Sequence, residues 1–439
     1  MLTFWGRPSA QTCDGATRRD FLKVGSLGLA GYGAAELGLP ELLQAKARAA
    51  SAGRATKNTS VIWLWLGGGA TQIETFDPKM DAPAEFRSTV GAVESSVPGI
   101  QLGGLLPRMA SVAQHMAFVR SFAHGDSGHA GGTHYVMTGY DYPPADQGAA
   151  QVKPSFGSIA SRVRGANHPV SGIPTYVRFR GTYGDGPAWL GDGCAPFDSG
   201  GNAKANMNAS VKLERLADRR GLLHELDRLD RHVDRSGLMD GLDDFEGQAF
   251  NLILGQAKQA FDISQEDLRV RERYGPGLGE QLLLSRRLCE AGCGFIKLHY
   301  TGWDMHGGIA AALNSRCPQL DQAVSALVED LVARGLDSRV LLVITGEFGR
   351  TPRINGGAGR DHWAPLSTLA FAGGGLRMGQ IVGESSAKAE VPKSRPIGPQ
   401  DLMATLFHVL GIDPDVSFRD PSGRPTPMLT SGRPIEELV

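Results

Sequence analysis

The chain has 439 residues, of which 41% are hydrophobic and 21% are charged, and its formal net charge is −1. This length and composition are typical of a globular protein with one large domain or two smaller ones. Because the net charge is close to zero, no global field would attract nucleic acid or anionic lipid, and we expect neither as a partner.

The first 50 residues have the features of a twin-arginine signal peptide. Arg18 and Arg19 are adjacent, an aromatic residue and a lysine follow, and residues 24–39 are mildly apolar and rich in glycine. Residues 47–49 offer small side chains for cleavage. We therefore expect the twin-arginine translocase to read Arg18 and Arg19 and the mature protein to be periplasmic or extracellular. The alternative is a basic arm ahead of a core helix.

Residues 51–439 are predicted to form a single α/β domain. Residues 60–66 are a continuous apolar run that ends in three glycines, as expected of a strand buried on both faces. Strands and helices then alternate: we predict strands at 117–121, 174–180, 295–299, 339–345 and 366–372, and helices at 105–115, 279–289, 320–333 and 399–410. This alternation predicts a mostly parallel sheet sandwiched by helices.

Two further patterns concern the helices. Leucines at helical spacing predict an amphipathic helical insertion over about residues 211–265. No apolar run after the signal reaches the roughly 18 residues that a membrane helix requires, so we expect no stable membrane span in the mature protein.

Carboxylates and imidazoles lie next to three of the predicted strands. Asp304 and His306 follow the strand at 295–299, and Glu347 follows the strand at 339–345. Asp361 and His362 lead into the strand at 366–372. Loops at the strand ends form the usual ligand site of an α/β sheet, and these side chains suit a divalent cation such as Zn, Ca, Mg or Mn. The alternative is a network of charge-assisted hydrogen bonds without metal.

A fourth polar segment, residues 124–134, follows the strand at 117–121. It contains three histidines, one aspartate and one serine among several glycines, a composition that is seldom packing material. If Gly131 and Gly132 open a helix, its N-terminal amides would face an anion. We therefore expect Asp126, Ser127 and His134 to contact a substrate.

Four segments taken together and in order resemble a known bacterial family. They are residues 67–79, 303–306, 346–352 and 361–363. The chain is similar over most of its length after residue 60 to the exported family labelled only as a domain of unknown function, number 1501. Residues 106–110 and 401–412 are also similar to two helices of sulfatases. The resemblance implies an alkaline-phosphatase-like fold and a relation to sulfatases and alkaline phosphatases.

That superfamily implies a hydrolase that attacks a phosphate or sulfate ester near one or two divalent metals. Sulfatases carry a modified Cys or Ser ten positions before the Gly of a Thr-Gly pair, and counting back from Gly139 reaches His129 instead. The first strand also ends in glycine where the superfamily carries an Asp ligand. In these two positions the chain departs from the superfamily.

Three hypotheses for function follow. In the first, the chain is a metal-dependent ester hydrolase in which His129 is a ligand, an acid/base group or a nucleophile, and Arg350 holds the substrate anion. In the second, it is a non-catalytic relative that binds sulfated or phosphorylated polymers at the cell surface. In the third, it is a structural exported protein, which the clustered histidines and carboxylates disfavour.

Overall fold

The computed structural model describes residues 58–141, 151–200 and 257–439. The predicted signal peptide and most of the predicted insertion at 211–265 lie outside these ranges. The strands are β1 (Ser60–Gly67), β2 (Ala92–Glu94), β3 (Gln101–Gly103), β4 (Met116–Val119), β5 (Tyr176–Arg178), β6 (Phe197–Asp198), β7 (Phe295–Thr301), β8 (Val340–Thr345), β9 (Gly349–Arg350), β10 (His362–Trp363), β11 (Leu369–Gly373), β12 (Gln380–Val382), β13 (Ser417–Arg419) and β14 (Pro425–Pro427). The α-helices are α1 (Pro107–Ser111), α2 (His129–Thr138), α3 (Phe156–Arg164), α4 (Ala257–Ala260), α5 (Leu268–Tyr274), α6 (Leu278–Glu290), α7 (Ile309–Ala333) and α8 (Pro399–Leu410).

Eight strands form one large sheet in the order β12-β4-β11-β8-β1-β7-β5-β6. β1 pairs in parallel with β7 and β8, and β5 pairs in parallel with β7 and β6. β11 is antiparallel to both of its neighbours, β4 and β8, while β12 is parallel to β4. The sheet is therefore mostly parallel, as predicted, with β11 alone reversed.

The central strand β1 is buried along its whole length, which explains its unbroken apolar sequence. Successive side chains of a strand point to opposite faces, so β1 supplies both cores. Ile62 and Leu64 belong to the core on one face, and Trp63 and Trp65 belong to the core on the other.

Helices cover both faces of the sheet. Buried residues of α1, α6 and α7 join the core that contains Ile62, and buried residues of α2, α3 and α8 join the core that contains Trp63. The α/β class, with a sheet sandwiched by helices, is confirmed. In the described ranges, no helix combines the length and the apolarity needed to cross a bilayer.

Two helices differ from the sequence-based expectation by more than a few residues. The helix predicted at 320–333 begins at Ile309 and continues through Pro318. Buried Ile309, Leu313 and Cys317 extend the apolar stripe at a spacing of four residues, and this packing outweighs the hydrogen bond that proline removes. The helix predicted at 105–115 is shorter: α1 ends at Ser111 and a separate 3₁₀ turn follows.

Candidate metal centre

The polar residues near the predicted strands meet at one edge of the large sheet. Asp304 and His306 follow β7, and Glu347 follows β8, so they lie where these parallel strands end. β11 is antiparallel to β8 and therefore begins at this same edge. His362, which precedes β11, consequently faces residues that follow β7 and β8. Helix α2 brings His129 to the same place at its first turn.

Asp304, His306 and His362 form the tightest group. Asp304 Oδ1 lies 3.0 Å from His306 Nε2 and 3.1 Å from His362 Nε2, and the two Nε2 atoms are 3.0 Å apart. The other carboxylate oxygen, Oδ2, lies 3.3 Å from His129 Nε2. His129, Asp304 and His362 each offer a ligand atom within 4.8 Å of the others, close enough to share one ion.

The far nitrogen of each imidazole is held by an acceptor. His306 Nδ1 lies 2.6 Å from Asp361 Oδ1, and His362 Nδ1 lies 2.9 Å from the backbone oxygen of Ser127. Because a carboxylate and a carbonyl can only accept, each Nδ1 carries a hydrogen, and in a neutral imidazole the Nε2 atom then presents a lone pair. Two lone pairs and a carboxylate oxygen thus converge, an arrangement that a bound cation or an added proton stabilises.

The group opens to solvent. The side chains of Asp304, His306 and Asp361 are 44%, 47% and 53% exposed. Asn355 supports the outer part, because its Nδ2 donates to Asp361 Oδ2 at 3.2 Å and to the His306 carbonyl at 3.0 Å. A small ligand could therefore reach the three inner atoms while their orientation stays fixed.

Glu347 and His129 form a second, more deeply placed pair. His129 Nδ1 lies 2.9 Å from Glu347 Oε1, which also accepts a hydrogen bond from the Gly68 amide at 2.8 Å. The Glu347 side chain is 5% exposed, and its Oε2 is buried without a hydrogen-bond partner among the described residues. A buried carboxylate oxygen without a donor is expected beside an ion or an ordered water.

The pKa values of the group follow from these contacts. Partial burial of Asp304 opposes its ionisation, but the hydrogen bond from Arg350 and the contact with His362 outweigh that effect and hold its pKa well below the usual range. The hydrogen bond to Glu347 raises the pKa of His129, whereas burial lowers the pKa of His362. The hydrogen bond from His306 lowers the pKa of Asp361. The group therefore contains ionised carboxylates beside a neutral His362, as cation binding requires.

Arg350 is fully buried and its donors are used inside the protein. Nε donates to the Gly69 carbonyl at 2.8 Å, and Nη1 donates to the Arg360 carbonyl at 3.0 Å. Nη2 donates to the Gly68 carbonyl and lies 2.6 Å from Asp304 Oδ1. This geometry favours a role in positioning Asp304 over the expected direct contact with a substrate anion.

The turn after β1 requires glycine. Gly68 has φ +112°, and a Cβ there would overlap the backbone between Trp303 and Asp304. A Cβ at Gly67 would overlap the ring of His299. Sequence reasoning missed His299, which is half-buried at the end of β7 with its pKa lowered by burial to about 4. The sequence feature that could have identified His299 is its position near the end of a buried strand.

A buried ion pair lies next to the centre in the chain, through Asp361. Glu74 and Arg360 are both fully buried and lie 2.8 Å apart, and Arg360 is adjacent to Asp361. The Thr71 hydroxyl also donates to Glu74. The local sequence does not reveal this pair, because nothing near Glu74 points to an arginine 286 positions away.

The residues expected to contact substrate are held by contacts within the protein. Asp126 Oδ1 accepts from the Gly128 amide at 2.7 Å, and its carboxylate occupies the space where Gly131 would carry a Cβ, so it packs against the first turn of α2. Ser127 Oγ accepts from the Ala364 amide at 3.0 Å. His134 is fully buried, with Nδ1 3.1 Å from the Tyr140 carbonyl. Helix α2 does begin near Gly131 and Gly132, but the anion at its N-terminus is Asp126.

Solved structures similar to this chain include a sulfatase, a phosphonate monoester hydrolase and an alkaline phosphatase. A sulfatase from Pseudoalteromonas sp. is 14% identical, with 86% of this chain and 73% of that chain covered and a TM-score of 0.39. A phosphonate monoester hydrolase from Silicibacter pomeroyi is 12% identical, covering 87% and 76%, with a TM-score of 0.39. An alkaline phosphatase from the Antarctic bacterium TAB5 is 12% identical, covering 82% and 99%, with a TM-score of 0.36. No curated protein matches the chain.

One protein-family model accounts for nearly all of the described sequence. It is the model described as "Protein of unknown function (DUF1501)", and it matches residues 58–439. The match includes every residue of the candidate metal centre, from the turn after β1 to His362. The chain belongs to the DUF1501 family.

Proposed function

We propose that this protein is a hydrolase of phosphate or sulfate esters that works with a divalent cation held by Asp304, His306 and His362. The observation that carries the proposal is the convergence of Asp304 Oδ1 with the Nε2 atoms of both histidines at 3.0–3.1 Å. In the neutral imidazoles each Nε2 presents a lone pair, so a positive charge between the three atoms stabilises their approach.

The donor set fits a catalytic rather than a structural ion. Two imidazoles and one carboxylate suit zinc and related divalent cations, and Asp361 stands behind His306 as the outer carboxylate that such ligands commonly have. Structural zinc sites have four protein ligands, whereas catalytic sites keep one position open. Three inner ligands on a solvent-exposed edge match the second case. The buried, unpartnered Oε2 makes Glu347 a further candidate ligand.

A bound cation would polarise an ester oxygen and lower the pKa of a coordinated water. The protein itself supplies the orientation. Arg350 holds Asp304 in place, and the Ser127 carbonyl and Asp361 hold the two imidazoles. His129, with its Nε2 3.3 Å from Asp304 Oδ2, is an acid/base group beside these ligands.

The substrate class comes from the sequence resemblance to sulfatases and alkaline phosphatases. The rival is a non-catalytic relative that binds sulfated or phosphorylated polymers, and the histidine at the superfamily's nucleophile position supports it. A histidine at that position favours direct attack by water over a covalent mechanism, because no Ser, Thr or Cys occupies it.

The test is metal retention combined with an ester screen. The purified full chain is equilibrated with Zn²⁺, Mn²⁺, Mg²⁺ or Ca²⁺, dialysed, analysed for metal and assayed with aryl phosphates and aryl sulfates. We expect about one retained ion per chain and release of phenol, with both lost in Asp304→Asn. The exposed Asp81→Asn variant is the matched control. Metal without turnover would favour the polymer-binding rival, and no metal in any condition would refute the centre.

We propose export through the twin-arginine route as well, on the strength of residues 1–50 alone. The proposal is independent of the centre and is tested separately below.

A further inference from the structure

We infer that Arg180 forms a subsite for a second anionic group of the substrate, so that the preferred esters carry a negative charge besides the phosphate or sulfate that is cleaved. The preference among esters rests on the proposed function. The charge and the position of the subsite rest on the structure alone, so the two parts can fail separately.

Arg180 lies at the same edge of the large sheet as the candidate metal centre. Strand β5 is parallel to β7, and the Phe179 amide continues this pairing by donating to the Lys297 carbonyl at 3.0 Å. In the continued register Arg180 is level with His299, which pairs with Trp65 of β1. Neighbouring strands are about 4.8 Å apart, so roughly 10 Å separates Arg180 from β1.

The Arg180 side chain lies on the face of the sheet that carries helix α2. Phe179 packs against the core on the opposite face, and successive residues of an extended strand alternate between the two faces. His299 is on the α2 face as well, because it pairs with Trp65, which belongs to the core that α2 covers. Burial and the charges of Lys297 and Arg180 lower the pKa of His299, so the guanidinium is near that imidazole.

The charges around Arg180 do not balance. Asp185 lies 3.0 Å from Arg178 through Oδ1 and 3.0 Å from Lys297 through Oδ2, and Asp198 lies 3.2 Å from the same arginine. Three cations thus share two carboxylates. The exposed cation of the three is Arg180, which has no ion pair in the part of the chain that the structure describes. The group therefore has a net charge of about +1 that an anion in solution can reach.

Lys297 fixes the backbone at Arg180. Its buried ammonium donates to the Arg180 carbonyl at 2.9 Å, to Asp185 Oδ2 at 3.0 Å and to the Thr182 hydroxyl. These acceptors use all the hydrogens of the ammonium. The loop after β5 is therefore anchored to β7, and Arg180 extends towards solvent from a fixed backbone.

The position of Arg180 suits a second charge better than the ester that is cleaved. The ester belongs at Asp304 and the histidines beside it, whereas β7 with His299 lies between Arg180 and β1. An ester that is held at the centre and extends along the sheet edge towards β5 meets the guanidinium with its alcohol part. The planar guanidinium binds a carboxylate, sulfate or phosphate on that alcohol through two parallel hydrogen bonds.

The test compares two esters that differ in one charge, para-carboxyphenyl phosphate and its neutral amide, para-carbamoylphenyl phosphate, together with the corresponding sulfates. The metal-loaded full chain should hydrolyse the carboxylate ester with a kcat/KM about 3- to 10-fold above that of the amide. Arg180→Gln should remove this preference and leave the rate with the amide unchanged. Arg180→Lys keeps the charge and should keep part of the preference. Isothermal titration with the same compounds measures binding without turnover.

The matched control is Arg269→Gln, at an exposed arginine of α5, a helix whose buried Tyr274 belongs to the core on the opposite face of the sheet. This variant should keep the preference. Equal kcat/KM values for the two esters in the wild type, or a preference that survives Arg180→Gln, would overturn the inference. If the wild type hydrolyses neither ester but binds the carboxylate compound more tightly through Arg180, the proposed function fails and the subsite stands.

Discussion

The Nε2 atoms of His306 and His362 face each other at 3.0 Å, and in the neutral rings neither nitrogen has a hydrogen to share. Their orientations are set independently, since Asp361 holds one ring and the Ser127 carbonyl holds the other. The loops that follow β4, β7 and β9 therefore impose a contact that is unfavourable by itself. A divalent cation would turn this contact into a ligand pair. The hydrogen bonds to Asp361 and to the Ser127 carbonyl therefore bear on metal binding as much as the ligands do.

The first prediction concerns the outer carboxylate. Asp361→Asn should weaken metal binding by about 10- to 100-fold, because His306 loses the acceptor that fixes its tautomer and increases its basicity. Isothermal titration with Zn²⁺ measures the change. Asp81→Asn, an exposed substitution of the same kind, should leave the affinity unaltered. An affinity equal to that of the wild type would show that Asp361 does not support a metal ligand.

The approach of His362 to Asp304 illustrates what the sequence could and could not predict. Strand ends carrying Asp, His and Glu were visible in the sequence, and the parallel pairing of β1, β7 and β8 could be expected from their apolar runs. A residue that precedes a parallel strand would lie at the opposite edge of the sheet. His362 reaches the centre because β11 is antiparallel, and a short apolar run does not reveal its direction.

The supporting residues were beyond sequence reasoning for a different reason. Arg350 looks like an anion clamp when read alone, but its donors are used by the turn after β1 and by Asp304. Glu74 and Arg360 form a pair across 286 positions. Such pairings depend on tertiary contacts that one sequence does not record.

The second prediction concerns export. In the full chain, replacing Arg18 and Arg19 together by Lys should leave uncleaved precursor in the cytoplasm, because the translocase reads the arginine pair. Fractionation followed by immunoblotting measures the distribution. Arg7→Lys removes an arginine outside the pair and should be exported normally. Normal export of the paired variant would eliminate the twin-arginine interpretation.

The third prediction concerns pH. His124 is packed against Phe122 and Tyr135, and burial lowers its pKa from 6.5 to about 4. Between these pH values the unfolded chain binds a proton at His124 and the folded chain does not. The free energy of unfolding therefore decreases as the pH falls from about 6.5 to about 4. His124→Gln should reduce the slope of unfolding free energy against pH by about 1.4 kcal/mol per unit in this window. Urea titrations of the metal-free proteins measure both slopes, and identical slopes would contradict the assignment.

The last prediction separates backbone strain from a direct clash at the turn after β1. Gly68 and Gly91 both have positive φ, +112° and +71°, but a Cβ at Gly91 would meet nothing within 4 Å. Gly91→Ala should therefore cost only the backbone penalty, about 1–2 kcal/mol of unfolding free energy. Gly68→Ala adds overlap with the backbone of Asp304 and should cost clearly more. Because that overlap displaces a proposed ligand, Gly68→Ala should also lose bound metal, whereas Gly91→Ala should retain it. Urea denaturation and metal analysis of the same preparations measure both effects. Equal stability losses, with metal kept in both variants, would mean that the turn does not position Asp304.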